Sequence, residues 1–133
     1  MRLKPSDYAT AVEVNRTYLH RLQPDRLLHN FRVYAGMEAK APIYGGWESD
    51  TIAGHTLGHY MTALVLTWQQ TGDPETRRRA DYIVDELAAT QAARGNGYFG
   101  GLGRKRKDRT IVDGIGIFDE VKKGEIRPGG FDL

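Results

Sequence analysis

The sequence predicts an all-α protein whose helices are joined by long glycine-rich loops. Apolar residues recur at helical spacing in three separate segments. Signals that end one helix and begin the next stand between these segments. Most of the sixteen glycines fall in clusters outside them. These three observations define the order of the predicted elements.

The first predicted helix runs from Asp7 to about Leu22. Ser6 is its expected N-cap, because a serine hydroxyl can accept a hydrogen bond from a free backbone N–H of the first turn. Pro24 ends the helix, since proline disfavours helical geometry in the residue before it. A second, short helix is predicted from Asp25 to Arg32, followed by a loop of glycine and small residues through Gly46.

The central helix is predicted to begin near Ser49 or Asp50 and to end at about Gln70. Its residues divide between two opposite faces. One face carries Leu57, Tyr60, Met61, Leu64 and Trp68, and the other His55, His59, Thr62 and Leu66. Because charges are few, we expect this helix to be buried on both sides.

A helix stop and a helix start follow at Gly72, Asp73 and Pro74, which suit a left-handed C-cap, an N-cap and a first helical position. The third main helix then runs to about Ala93. Its inward-facing residues are predicted to be Ala80, Ile83, Val84, Leu87 and Ala88. So short a connection predicts an antiparallel hairpin. Residues 47–55 and 94–99 should therefore lie at the same end of the pair.

Regular structure is predicted to thin out after Arg94. The basic run from Arg104 to Arg109 is interpreted as a solvated loop, and a short helix is predicted from Ile117 to Lys123, closed by Gly124. Loops of this extent are unusual in a self-contained compact domain. The long helices also carry faces suited to burial that have no evident partner. These features predict a fragment of a larger helical protein.

Composition and charge exclude several classes of protein. The chain is 40% hydrophobic and 27% charged, as in a soluble globular protein, and its net charge of +2 gives no reason to expect a nucleic-acid or membrane partner. It has no cysteine. The N-terminus lacks the apolar core of a signal peptide. We therefore expect a cytoplasmic protein, or a periplasmic or extracellular one whose signal peptide lies upstream. No feature of the sequence indicates an oligomeric state.

Two neighbouring motifs carry a resemblance to a known family. The residues Gly46-Trp47-Glu48 and the stretch from Gly54 to Leu64 resemble the "GWE … GH..GHYLSALA" signature of β-L-arabinofuranosidase-like proteins, glycoside hydrolase family 127 and its relatives. Further segments match that family in order, in kind and in spacing. They are Asn15–Leu19, Pro24–Arg32, Gly97–Phe99, Phe118–Asp119, Gly124–Ile126 and Gly130–Leu133.

This resemblance implies an (α/α)6 barrel, of which residues 1–133 would form the first hairpins within a single catalytic domain. It implies a carbohydrate substrate, and hydrolysis of L-arabinofuranosides or related glycans. The best-known branch of the family uses a zinc-bound cysteine nucleophile. Because this chain has no cysteine, that chemistry is not carried over to any residue here. Zinc is expected only in a full-length family enzyme, the catalytic residues are unassigned, and we expect no activity from this piece alone.

Five residues are candidates for substrate binding. They are Trp47, Glu48, His55, His59 and Tyr98. An aromatic ring beside a carboxylate suits a sugar, because the ring covers C–H faces and the carboxylate accepts from hydroxyls. Each residue also has an alternative, structural role. The aromatic residues could anchor loops, the glutamate could interact with a helix N-terminus, and the histidines could be buried, hydrogen-bonded rings.

The two histidines also allow a metal site, since imidazoles at i and i+4 point the same way. Thr56 occupies the position where a zinc peptidase motif has glutamate, and no third ligand is evident. Three functions thus remain open at this stage. They are a glycoside hydrolase fragment, a non-catalytic helical module that binds glycans or other partners, and a small helical metalloprotein built on His55 and His59.

Overall fold

The computed structural model of the protein describes residues 3–49 and 53–126, and these are mostly helical. The all-α prediction is therefore confirmed at this level. The helices are α1 (Asp7–Arg21), α2 (Pro24–Leu27), α3 (His29–Tyr34), α4 (His55–Thr71), α5 (Pro74–Arg94) and α6 (Gly114–Lys122). A short 3-10 helix, Gly46–Ser49, precedes α4, and two short strands, β1 (Gly103–Lys105) and β2 (Ile111–Asp113), precede α6.

The beginning of α1 is as predicted. The Ser6 hydroxyl accepts a hydrogen bond from the Ala9 N–H at 3.3 Å, and Leu22 is the C-cap. The single helix predicted from Asp25 to Arg32 is instead two helices, α2 and α3, with the break at Leu28. The Leu28 side chain is fully buried.

The predicted start of α4 is wrong by about one and a half turns. Ser49 lies in the 3-10 helix, and α4 begins at His55, after Gly54 in a left-handed conformation with φ of 96°. The alternative start, Asp50, lies outside the described residues. The carboxylate of Glu48, which lies in the preceding 3-10 helix, accepts hydrogen bonds from the N–H groups of Gly54 and Thr56. The helix thus begins where a distant side chain satisfies its free N–H groups.

The connection between α4 and α5 has the predicted chemistry. Gly72 has a φ of 75° and donates its N–H to the carbonyl of Trp68 at 2.7 Å. The Asp73 carboxylate accepts from the Glu75 N–H at 3.0 Å, and Pro74 is the first residue of α5. The two helices pack against each other.

The core lies where α1 to α5 meet. Its buried members are Leu19, Leu27, Leu28, Phe31, Leu57, Tyr60, Leu64, Ala80 and Ile83. The predicted inward face of α5 is partly wrong, because Val84 and Ala88 are exposed. Thr76 and Thr90 are buried instead, and their hydroxyls donate to the backbone carbonyls of Asp73 and Leu87. A threonine that satisfies its hydroxyl within its own helix can occupy a core position.

One face of α4 is uncovered in this chain. His55, His59, Thr62 and Leu66 are exposed, so the prediction that α4 is buried on both sides is wrong for the part of the chain described. Leu66 is 59% exposed. No charged residue occurs between His55 and Thr71. An uncharged helix with one solvent-facing side is atypical of a surface helix.

The strands and their contacts were not predicted. β1 and β2 pair antiparallel with Gly103 opposite Asp113. Arg104 and Arg106 both form ion pairs with Glu120, which is buried on α6. Arg104 therefore lies in a strand rather than in a loop, but the side chains of Arg104 and Arg106 are 43% and 49% exposed, as the interpretation of a solvated run predicted. Strands of three residues carry too little pattern to be recognised, and these are held by side chains distant in sequence.

Candidate functional site

Two loops meet at the start of α4. A Cβ atom added to Gly101 would lie 2.9 Å from the carbonyl oxygen of Ala53, and one added to Gly54 would lie 3.4 Å from the backbone nitrogen of Gly101. The segment that enters α4 and the segment that follows α5 therefore lie against each other. The two segments meet, as expected, near the start of α4, but the closest approach is at Gly101, just beyond the predicted 94–99 loop, and glycine is required there.

A cavity of about 360 Å³ opens between the two loops. Apolar side chains and glycines line most of it. The lining residues are Phe31, Ala53, Gly54, Leu57, Gly58, Met61 and Leu87, together with residues 98–102. Of the five predicted site residues, Tyr98 lines this cavity, whereas Trp47, Glu48, His55 and His59 do not.

Tyr98 is held in place by its loop. Its hydroxyl donates to the carbonyl of Leu102 at 3.1 Å, and a Cβ atom on either Gly100 or Gly114 would overlap the phenol. The Arg94 guanidinium lies 5.4 Å from the ring centroid. Burial, helped by the negative charge of Asp113, raises the pKa of Tyr98. The side chain is a packed anchor for the loop, and it forms part of the cavity wall.

A buried polar cluster that sequence reasoning missed fixes the base of this loop. Arg94, at the end of α5, pairs with Asp113 at 2.8 Å, and both side chains are 9% exposed. Asn96 donates to the same carboxylate at 2.7 Å, and Gly116 donates its N–H to the other oxygen at the start of α6. Asp113 before Gly114 was a recognisable N-cap signal, but its ion-pair partner lies nineteen residues away.

The charge state of Asp113 follows from these contacts. Burial by itself would raise the pKa of this carboxyl. The hydrogen bonds from Gly116 and Asn96 and the positive charge of Arg94 outweigh burial and hold the pKa below its usual value. Asp113 is therefore a carboxylate committed to structure.

Glu48 also has a structural role. Its side chain is buried, and its two oxygens accept from the N–H groups of Gly54 at 3.1 Å and Thr56 at 3.0 Å. A negative charge at this position also favours the positive end of α4. Both oxygens have these backbone donors before any ligand arrives.

Trp47, His55 and His59 face solvent near the same end of α4. Trp47 is 77% exposed, and the two imidazole rings lie 4.8 Å apart, edge to face. Among the described residues, no group of three or more His, Cys, Asp or Glu side chains is placed to hold a metal ion. The donors here do not fit the zinc centre implied by the resemblance, so no step through zinc is assigned to this chain.

Gly58 leaves a gap in the surface of α4. It lies inside the helix, and a Cβ atom added to it would meet no heavy atom within 4 Å. We expect Gly58→Ala to raise the free energy of unfolding by roughly 0.5–1 kcal/mol, because alanine restricts the unfolded chain and favours the helix. Urea unfolding measures this. Gly54→Ala is the matched control and should destabilise, since Gly54 has a positive φ and contacts Phe31. A lower free energy of unfolding for Gly58→Ala would contradict the finding that the space next to Gly58 is open.

Comparison with known protein families identifies the family to which the chain is similar. The family model described as beta-L-arabinofuranosidase, GH127 catalytic domain, matches residues 1–122. No curated protein matches the chain. Over residues 3–49 and 53–126, no helix has both the length and the apolar character needed to cross a membrane.

Proposed function

The chain belongs to the β-L-arabinofuranosidase family GH127, and from this premise we propose that it forms the N-terminal part of a glycoside hydrolase domain acting on L-arabinofuranosides. In this proposal its role is to bind the sugar, and the groups that cleave the glycosidic bond lie elsewhere in the domain. The observation that carries the proposal is the convergence of the 98–102 loop with the start of α4, beside the exposed Trp47, His55 and His59.

The chemistry of the exposed side chains supports a sugar. An indole ring can cover the C–H face of a furanose, and an imidazole can donate to one hydroxyl while accepting from another. The two histidines are one helical turn apart on the same face of α4, so both can reach one ring.

Two carboxylates among the described residues near the candidate site support a binding role. General acid and base catalysis of glycoside hydrolysis uses two carboxyl groups about 5–9.5 Å apart, with the bond to be cleaved between them. Glu48 is committed to the N-terminus of α4, and Asp113 to Arg94. We therefore assign neither of them as acid, base or nucleophile.

The uncovered face of α4 supports the barrel. In an (α/α)6 barrel, further helices would cover such a face, and α4 and α5 would form one of the hairpins. The absence of charge from His55 to Thr71 agrees with a helix that is covered on both sides in the complete domain.

Titration with methyl β-L-arabinofuranoside, followed by NMR of the ¹⁵N-labelled chain, tests the binding role. We expect shifts at the start of α4, and His55→Ala and His59→Ala to weaken binding about fivefold each, the value of one hydrogen bond of ordinary strength. Gln69→Ala is the control, because Gln69 is exposed on α4 about three turns beyond His59 and about four turns beyond His55. Unchanged affinity in both histidine variants would contradict the sugar site.

An activity assay distinguishes the two candidate functions, a part of an enzyme and a non-catalytic glycan-binding module. We expect no release of 4-nitrophenol from 4-nitrophenyl β-L-arabinofuranoside by residues 1–133, and turnover by a longer chain that completes the domain. Hydrolysis by the isolated chain would overturn the placement of the catalytic groups. An inactive completed domain that still binds the sugar would favour the non-catalytic module.

A further inference from the structure

The cavity beside the candidate sugar site is poorly suited to a sugar. Phe31, Leu57, Met61 and Leu87 form much of its wall, and the one side-chain hydroxyl among the described lining residues, that of Tyr98, already donates to the Leu102 carbonyl. A sugar ring would lose the water around its hydroxyls and find few partners here, which is unfavourable. An apolar ring would lose no hydrogen bonds on entering.

Two features keep the cavity open to a ligand. Gly58 forms part of its wall, although alanine would favour the helix and would meet no heavy atom within 4 Å. Phe99, also in the lining, is 52% exposed. A large apolar side chain in the lining of an apolar cavity offers an apolar ligand a further contact.

The cavity is next to the surface proposed for the sugar. Gly58 precedes His59 in the chain, and Gly54 precedes His55, so the cavity wall and the imidazole face are adjacent strips of α4. The volume of about 360 Å³ lies at the small end of ligand pockets, which measure roughly 300–1,000 Å³. It has room for a ring system rather than for a polymer.

We propose that this cavity binds an apolar aglycone, an aryl ring, carried by an arabinofuranoside whose sugar lies against His55 and His59. This inference rests on the proposed function and adds the substrate class. The protein then prefers glycosides of aromatic or similarly apolar alcohols over glycosides of small polar alcohols. Phe99 stacks on the aglycone, and the gap above Gly58 admits its edge.

The experiment compares three probes on the 133-residue chain by NMR titration or calorimetry. They are 4-nitrophenyl β-L-arabinofuranoside, methyl β-L-arabinofuranoside, and 4-nitrobenzyl alcohol, which has the ring without the sugar. We expect the aryl glycoside to bind about tenfold more tightly than the methyl glycoside, the order of magnitude for burying one aromatic ring.

Two variants and two matched controls locate the effect. Gly58→Leu fills the gap at an exposed helical position, and Phe99→Ala removes the stacking ring. Each should abolish the preference for the aryl glycoside. Thr62→Leu, one turn further along the exposed face of α4, and Phe118→Ala, which is 62% exposed and outside the cavity lining, should retain it. Unfolding midpoints of all four variants check that the fold is intact.

The outcomes separate this inference from the proposed function. If the methyl glycoside binds and the aryl ring adds nothing, the cavity inference fails and the sugar site stands. A different result would support the cavity and contradict the sugar site. In that case, 4-nitrobenzyl alcohol binds to the native chain but not to Gly58→Leu, and the affinity of neither glycoside changes when His55 or His59 is replaced. If none of the probes binds at millimolar concentration, both fail.

Discussion

Replacing Arg79 with methionine is expected to lower the free energy of unfolding by roughly 2–4 kcal/mol. Arg79 extends from α5 to the C-terminal end of α1. Its guanidinium donates to the carbonyls of His20 at 2.9 Å and Leu22 at 2.6 Å, and to the Tyr60 hydroxyl at 3.1 Å. The last carbonyls of a helix have no partner within it, and a positive charge there also suits the helix dipole. Methionine retains the apolar stem and leaves these acceptors unpaired.

Arg78→Met is the matched control for this variant. Arg78 bonds to the same partner as Arg79, the carboxylate of Glu75, but its side chain is 65% exposed and makes no bond to α1. Its replacement should leave the urea midpoint nearly unchanged. Arg79→Lys should recover only part of the stability, since a single ammonium group cannot span acceptors that a guanidinium bridges. Equal losses in the two methionine variants would show that Arg79 acts only through Glu75.

The features predicted well from the sequence are local ones. Ser6 caps α1, and Gly72, Asp73 and Pro74 end α4 and begin α5, as their residue types predict. In each case, the side chain that decides the structure lies within a few residues of the backbone that it serves. The convergence of the two loops at the start of α4 follows from these same signals.

The features predicted poorly depend on partners distant in sequence. The start of α4 is set by Glu48, six and eight residues before the N–H groups that it accepts from. The β1–β2 pair is held by Arg104 and Arg106 bonding to Glu120 on α6. Neither contact leaves a periodic pattern in the sequence. The sequence allowed a helix-terminus role for Glu48, but not the residue at which α4 would begin.

In the candidate site too, local features were predicted and features that depend on distant residues were not. The motifs around Trp47 and His55 place the candidate site at the start of α4, because a glycine-rich entry to an uncharged helix is visible in the sequence. The substrate-binding roles of the five candidates stay predictions. For Glu48 and Tyr98, the structure shows the structural roles named as alternatives, a helix-terminus partner and a loop anchor. The apolar cavity was not predicted, because its wall joins α3, α4 and α5 to the 98–102 loop.

Replacing Asp113 with asparagine is expected to lower the free energy of unfolding by about 3 kcal/mol at neutral pH, because it leaves the Arg94 guanidinium buried without a counter-charge. Both side chains are only 9% exposed, so water cannot replace the lost partner. The same change weakens the cap of α6 at Gly116 and the bond from Asn96. The loop that carries Tyr98 and Phe99 should loosen, and aryl-glycoside binding should fall with it.

The pH dependence of the Asp113→Asn effect tests its cause. The pKa of Asp113 in the folded protein lies below its ordinary value of 3.8. Its contribution to stability is therefore complete above pH 3.8 and is lost as the pH falls through the lower, folded-state pKa. The difference in unfolding free energy between the native protein and Asp113→Asn should thus be constant near neutrality and shrink below about pH 4.

Glu75, with a pKa of about 2, and Glu86 titrate in both proteins and cancel in the difference. Asp81→Asn, at a surface pair with Arg77 whose side chains are more than 60% exposed, should show almost no difference at any pH. A difference for Asp113→Asn that stays the same down to pH 2 would mean that lost packing, and not the lost charge, accounts for the effect.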